Sequence, residues 1–187
     1  MDTGIKAIPT FYKGVYFRSR LEARWAVIFD RLGIDWRYET EGYDITIDDG
    51  LTIRYLPDFL LLGGSGFFPD ALWVEVKGNM MPEDALKIKA FSEHYPIYVV
   101  GEIPKDIVNF NNIQIQTSEE VPYYNLLTVT GDYVSAIIGA SENGGWSLYS
   151  EPFKKEIEGV PPGLIDMDIA KTRQAYAIAR AAHFEYQ

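Results

Sequence analysis

The stretch that decides the fold is YLPDFLLLGGSGFFPDALWVEVKG, residues 55–78. Two apolar segments stand at its ends, and a loop with glycine, serine and proline separates them, which predicts two β-strands joined by a loop. Asp58 belongs to the first strand, and Glu75 and Lys77 belong to the second. Because side chains alternate along a strand, Glu75 and Lys77 point to the same face.

The sequence around this stretch predicts an α/β fold. Apolar residues recur at three- and four-residue spacing between Ser19 and Gly33, which is typical of an amphipathic helix. A second helix begins at Pro82 and runs to about His94. We expect the first three strands to form a meander and the last, a continuous apolar run, to pair in parallel. The predicted strands are Ile34–Thr40, Tyr43–Ile47, Leu51–Leu62, Leu72–Lys77 and Pro96–Gly101.

The pattern of apolar residues that predicts helices and strands is weaker after residue 101. We divide the chain into a core, residues 1–118, and a β-rich acidic appendage with a terminal helix, residues 119–187, packed together as one domain. Asp166 or Asp168 caps the final helix, which runs to the end of the chain. The other predicted elements are a short helix over Pro104–Phe110, a short strand over Ile113–Gln116, a hairpin region made of Asn125–Ala140 and Trp146–Ser150, and a break at Pro161–Gly163.

Composition narrows the possible chemistry. The chain has 187 residues, of which 47% are hydrophobic, so a packed globule is expected. It has no cysteine, which excludes disulfides, thiolate zinc sites and cysteine nucleophiles. Its two histidines argue against histidine-rich metal sites and HNH-type nuclease centres. Any metal ligands should therefore be oxygen atoms, which suit Mg²⁺ or Mn²⁺.

The net charge of −10 counts against the simplest kind of nucleic-acid binding, which uses a basic surface. The excess of acidic over basic residues is larger in residues 91–187 than in residues 1–90. Most of the basic side chains lie in residues 1–90, the half that contains Asp58 and Glu75. No segment approaches the roughly 20 apolar residues that span a bilayer, and the N-terminal sequence lacks the order of a secretory signal. We therefore expect a cytoplasmic protein without membrane contact.

Asp58 and Glu75 suggest a metal centre. If their strands are neighbours, the two carboxylates approach each other and repel unless a cation or a proton lies between them. A cation there polarises a phosphoryl oxygen and lowers the pKa of a bound water. Lys77 can orient that water or stabilise negative charge in the transition state, and the backbone carbonyl of Val76 can serve as a further ligand. These are the requirements of phosphodiester hydrolysis.

Pro57-Asp58 followed by Glu75-Val76-Lys77 resembles the PD-(D/E)XK nuclease superfamily. A helix that begins in Phe17–Glu22 and a helix and strand downstream have the order of that superfamily's core, and the resemblance covers roughly residues 15–101. The closest likeness is to compact phage and prophage endonucleases, and a looser one is to Holliday-junction resolvases and the end-cutting subunits of transposases.

The resemblance implies a restriction-endonuclease-like core with a mixed central sheet flanked by helices. It also implies an Mg²⁺-dependent endonuclease that cuts DNA in phage or mobile-element processing, in the cytoplasm of a bacterial host, with Mn²⁺ able to substitute. Asp58 and Glu75 would hold the metal, Lys77 would serve the nucleophilic water, and Glu22 would reach the same site from the helix.

Other interpretations of these residues stay open. Asp70, in a second Pro-Asp pair, lies nearer to Glu75, but it follows a glycine-rich loop where turn aspartates are common. Ser19-x-x-Glu22 is also a capping box, in which Glu22 bonds back to the N–H of Ser19. Glu75 and Lys77 could form a solvated ion pair on an exposed strand face.

Candidate nucleic-acid contacts are Arg20 and Arg24 on the first helix and Lys87 and Lys89 on the second, each also readable as a solvated helix face. DNA is the expected partner, and a homodimer would suit cleavage of two strands. The alternatives are an RNA-directed nuclease and a nuclease-fold binding or regulatory protein, such as a virus-encoded inhibitor or an accessory subunit. The acidic second half would then hold a protein partner.

Overall fold

The computed structural model describes residues 7–47, 50–64, 71–107, 126–129, 132–150 and 167–184. Within these ranges the chain has a mixed α/β fold, as predicted, with three helices and eleven strands. The helices are α1 (Arg20–Leu32), α2 (Pro82–Ser92) and α3 (Ile169–Ala181). The strands are β1 (Thr10–Tyr12), β2 (Val15–Phe17), β3 (Asp35–Tyr38), β4 (Tyr43–Thr46), β5 (Thr52–Tyr55), β6 (Phe59–Leu62), β7 (Ala71–Val76), β8 (Ile97–Val100), β9 (Leu126–Val129), β10 (Asp132–Ala140) and β11 (Trp146–Ser150).

Seven strands form a mixed central sheet in the order β11-β10-β9-β8-β7-β6-β3. Strands β7 and β8 pair in parallel, and the other neighbours in this sheet are antiparallel. All four residues of β8 are buried, which agrees with the parallel pairing predicted from its apolar run. The central position of β7 places its charged end inside the protein.

The two faces of the sheet have separate apolar cores. One core joins the sheet to α1 and α3 and contains Trp25 and Tyr176, both with no exposed surface. The other joins it to α2 and the β4–β5 hairpin and contains Phe91. Alternation along β7 sends Val74 to the first core and Trp73 to the second, so Glu75 lies on the second face.

Helix α1 has the ends that its sequence predicts. Ser19 is its N-cap, with extended backbone angles and a hydroxyl that accepts from the N–H of Glu22 at 3.1 Å. Gly33 closes the helix in the left-handed region, with φ of 76°, a conformation that costs glycine little. The Ser19 cap fixes where α1 begins and therefore places Arg18 and Glu22 at one end of the sheet.

The strand predicted over Leu51–Leu62 is wrong as a single element. It divides into β5, which pairs with β4 in a separate two-stranded sheet, and β6, which pairs with β3 in the central sheet. The expected meander is therefore absent. The break falls at residues 56–58, because Pro57 has no N–H for a ladder and holds φ fixed. Asp58 thus lies just before β6, outside the regular hydrogen-bond ladder.

Strands expected in an appendage continue the central sheet instead. Strands β10 and β11 form the predicted hairpin, and β9 pairs with both β8 and β10. Asp168 caps α3, its carboxylate accepting from the N–H of Lys171 at 2.9 Å. The helix does not run to the end of the chain, since it stops at Ala181 and Ala182 is extended.

Of the other predictions for the second half of the chain, one helix is not observed and several elements lie outside the described residues. Residues 104–107, the described part of the helix predicted over Pro104–Phe110, are not helical. The predictions on Ile113–Gln116, Pro161–Gly163 and Asp166 lie outside the described residues. None of the helices in the described ranges combines the length and the apolar character that a bilayer crossing requires.

Candidate active site

Asp58 and Glu75 come together across the β6–β7 pair. In that antiparallel pair Phe59 lies opposite Val74, so continuing the register by one residue sets Asp58 opposite Glu75. Each of the two residues is only 2% exposed. The structure therefore brings together the two carboxylates that the sequence singled out, and it buries both.

Both oxygens of Asp58 accept hydrogen bonds. The N–H of Val76 donates to Oδ2 at 2.7 Å, and Nη2 of Arg18 donates to Oδ1 at 2.6 Å. The Asp58 carbonyl also accepts from the N–H of Glu39 at 2.8 Å. Asp58 is thus held by its own backbone and by the neighbouring strand, and its position does not depend on Arg18 alone.

Glu75 and Lys77 form the other half of the site. Lys77 Nζ lies 2.9 Å from Glu75 Oε1 and 3.1 Å from Asp84 Oδ1, and the Tyr55 hydroxyl donates to Glu75 Oε2 at 2.8 Å. Lys77 follows the last residue of β7, whereas the sequence placed it in the strand. Its N–H nevertheless donates to the carbonyl of Val100 at 2.8 Å, so it keeps the strand direction and the face of Glu75.

Glu22 lies next to this pair with its carboxylate fully engaged. The Ser19 hydroxyl donates to Oε1 at 2.7 Å, and Oε2 accepts from the N–H of Arg18 at 3.0 Å and from the Tyr38 hydroxyl. The expected bond to the Ser19 N–H is replaced by these contacts, so only the Ser19 half of the capping box forms as predicted. Glu22 therefore fixes the Arg18 backbone and the Tyr38 ring beside the site.

Burial and charge shape the protonation of the site. Burial, followed by the negative charges of Glu75 and Glu22, raises the pKa of Asp58 well above its usual value, and burial raises the pKa of Glu75. Burial alone would lower the pKa of Lys77, but the charges of Glu75 and Asp84 outweigh it and raise that pKa. The lysine is therefore an ammonium at neutral pH, whereas loss of the proton from Asp58 or Glu75 is disfavoured at this buried site unless a cation compensates the charge.

The donor set suits a hard divalent cation only in part. Within the described ranges no three Asp, Glu or His side chains converge closely enough to hold a metal by themselves. Asp58 and Glu75 offer two carboxylates, and Mg²⁺ is commonly bound by one or two carboxylates together with waters and substrate phosphates. The residues therefore fit Mg²⁺ or Mn²⁺ if the Val76 carbonyl, water or substrate oxygens complete the shell.

Several members of the network were not predicted from the sequence. Arg18 belongs to the motif that precedes α1, and Tyr55 is three residues before Asp58. Both lie near predicted site residues in the sequence, but the sequence did not indicate their hydrogen bonds to Asp58 and Glu75. Asp84 reads as a helix-start residue, and its Oδ2 does accept from the N–H of Met81 at 3.2 Å. Its contact with Lys77 depends on how α2 packs, which local sequence does not specify.

The four basic residues proposed to bind nucleic acid lie on the two helices that flank the site. Arg20 and Arg24 are half-buried in the first turns of α1. On α2, Lys87 is half-buried and lies three residues after Asp84, and Lys89 is exposed. Their role stays a prediction, and the alternative Asp70 lies outside the described residues.

In comparisons with known proteins, no protein-family model, no curated protein and no solved structure matches this chain. Function is therefore inferred from the side chains and the fold of this protein.

The raised carboxyl pKa values predict how stability depends on pH in EDTA. The folded protein binds protons at Asp58 and Glu75 more tightly than the unfolded chain does, so their contribution to stability is complete below the ordinary carboxyl pKa of about 4. It is lost as pH rises through the raised folded values. Urea unfolding from pH 4 to 8 should show a steeper loss for the wild type than for Glu75→Gln; equal slopes would contradict the prediction.

Proposed function

We propose that the protein is a divalent-metal-dependent endonuclease that hydrolyses DNA phosphodiester bonds, with a restriction-endonuclease-like core. The observation that carries this proposal is the buried Asp58–Glu75 pair with Lys77 on the same face. Two carboxylates buried side by side are unfavourable unless something positive joins them. Arg18 and Lys77 each offset one of the two carboxylates, and a divalent cation held by both is what a nuclease centre would add.

The order of elements supports the same proposal. Helix α1 is followed by the antiparallel strands β6 and β7, then by α2 and by β8, which pairs in parallel with β7. The site forms where β7 ends, between the N-terminal ends of α1 and α2. This order supports the likeness to PD-(D/E)XK nucleases, apart from the β4–β5 hairpin that takes the place of the expected meander. Glu22, Asp58, Glu75 and Lys77 lie at one end of the sheet.

Each residue then has a defined task. A bound Mg²⁺ or Mn²⁺ would supply Lewis-acid chemistry and a water of lowered pKa. Asp58 and Glu75 would hold it, and the Val76 N–H keeps Asp58 oriented through its 2.7 Å hydrogen bond. Lys77 stays protonated and stabilises negative charge that develops on the phosphate. Glu22 acts as a positioning residue through Arg18 and Tyr38.

Cleavage of DNA provides the direct test. Purified protein should cut supercoiled, linear or branched DNA in Mg²⁺ or Mn²⁺ and should stop cutting in EDTA. RNA substrates in parallel reactions decide between DNA and RNA, since the site chemistry serves both. If no form of DNA is cut with either metal, the proposed function is wrong, and a stable protein partner in pull-down experiments would then favour the regulatory alternative.

A further inference from the structure

Arg18 occupies an unusual position beside the buried pair. Its Nη2 lies 2.6 Å from Asp58 Oδ1, and its Nε lies 2.7 Å from Glu39 Oε1. The first contact is a well-formed hydrogen bond, whereas the second is a charge contact without an aligned N–H. The Arg18 side chain is 59% exposed, while that of Asp58 is almost fully buried. An exposed guanidinium therefore neutralises a buried carboxylate from the solvent side.

We infer that Arg18 competes with the divalent metal for Asp58 and so sets the metal concentration at which the site loads. The inference rests on the proposed function and deepens it, because it assigns a regulatory role to the Arg18 side chain, whereas the nuclease proposal uses only the Arg18 backbone. A guanidinium 2.6 Å from Oδ1 and a divalent cation bound to the same oxygen would repel each other, so each weakens the binding of the other.

The Val76 N–H strengthens the case because it engages the other Asp58 oxygen. Oδ1 is the oxygen that an incoming cation would take without breaking that backbone bond, and it is the one that Arg18 holds. Glu39 stays available to Arg18 after release, so the guanidinium keeps a charged partner on the solvent side. The Arg18 backbone N–H, bonded to Glu22 and Tyr38, is unaffected by a change of side chain.

Arg18→Met tests the inference directly. Calorimetric titration of Mn²⁺ into the full chain without DNA should give a dissociation constant about tenfold lower for Arg18→Met than for the wild type, the order expected when one charge-assisted competitor is removed. Arg18→Lys keeps the charge, and its dissociation constant for Mn²⁺ should lie between those of the wild type and Arg18→Met. Arg54→Met is the matched control, because Arg54 is 92% exposed and pairs with the exposed Asp44, and it should leave the affinity unchanged.

A thermal readout separates competition from plain structural support. In EDTA, Arg18→Met should melt below the wild type, because Asp58 loses its counter-charge. Saturating Mn²⁺ should raise its melting temperature by more than it raises that of the wild type. If Arg18→Met binds Mn²⁺ no more tightly than the wild type while both cut DNA, the inference is wrong and the nuclease proposal stands. If neither protein binds Mn²⁺ nor cuts DNA, both are wrong.

Discussion

Glu75→Gln is expected to lower metal-dependent cleavage by at least about 10³-fold while the protein stays folded. The substitution removes one of two carboxylates that would hold the cation, and Lewis-acid stabilisation by a metal is worth several kcal/mol, of which each 1.4 kcal/mol is a factor of ten. Single-turnover cleavage in Mg²⁺, together with urea unfolding of the same preparations, measures both parts of the prediction.

The hydrogen bonds explain why Glu75 is the better position for this test. In Glu75→Gln, the amide oxygen can face Lys77 and the amide nitrogen can donate to the Tyr55 hydroxyl oxygen, so both partners of Glu75 keep a bond. Asp58 offers no such solution. Its oxygens face the Val76 N–H and the Arg18 guanidinium, so an asparagine would set its amide nitrogen against a donor.

Two results would contradict the prediction. Cleavage within about tenfold of the wild type would show that Glu75 does not hold a metal worth several kcal/mol. A large loss of stability together with the loss of cleavage would show that Glu75 supports the fold, and the loss of activity would then say nothing about the metal. Arg54→Gln, which changes a highly exposed ion pair with Asp44, serves as the control for preparation and assay.

The sequence was most informative where local chemistry determines structure. The Ser19 cap, the Gly33 termination and the apolar run of β8 each follow from a few neighbouring residues, and each is confirmed. The shared face of Glu75 and Lys77 follows from strand alternation and is confirmed by their 2.9 Å contact. These features depend on backbone geometry that residue type restricts strongly.

The sequence was least informative where distant segments meet. Nothing local shows that Arg18 would meet Asp58, forty positions along the chain, or that Asp84 would share Lys77 with Glu75. The division of Leu51–Leu62 into β5 and β6 depends on which strand each half pairs with, although Pro57 marks the break. Such contacts are set by tertiary packing, which a single sequence constrains only weakly.

These unpredicted contacts change the chemical interpretation of the site. From the sequence, Lys77 was either a residue that orients water or a stabiliser of negative charge. Because both Glu75 and Asp84 contact its Nζ and raise its pKa, Lys77 is an ammonium, which is compatible with both roles but disfavours that of a proton acceptor. In the proposed reaction Lys77 would therefore act through its positive charge.

Lys77→Met is therefore expected to reduce the rate of cleavage about 10²- to 10³-fold, the cost of losing one preorganised charge at the transition state. Lys77→Arg should retain more activity, because it keeps the charge although its planar group fits the Glu75–Asp84 pair differently. The loss in Lys77→Met should not come from lost metal. Removing the ammonium beside Glu75 leaves the carboxylates more negative, so Mn²⁺ should bind at least as tightly in calorimetry.

If Lys77→Arg is as inactive as Lys77→Met, charge alone does not explain the role of Lys77. If Lys77→Met cuts at the wild-type rate, Lys77 serves to offset buried carboxylates and takes no part in the reaction.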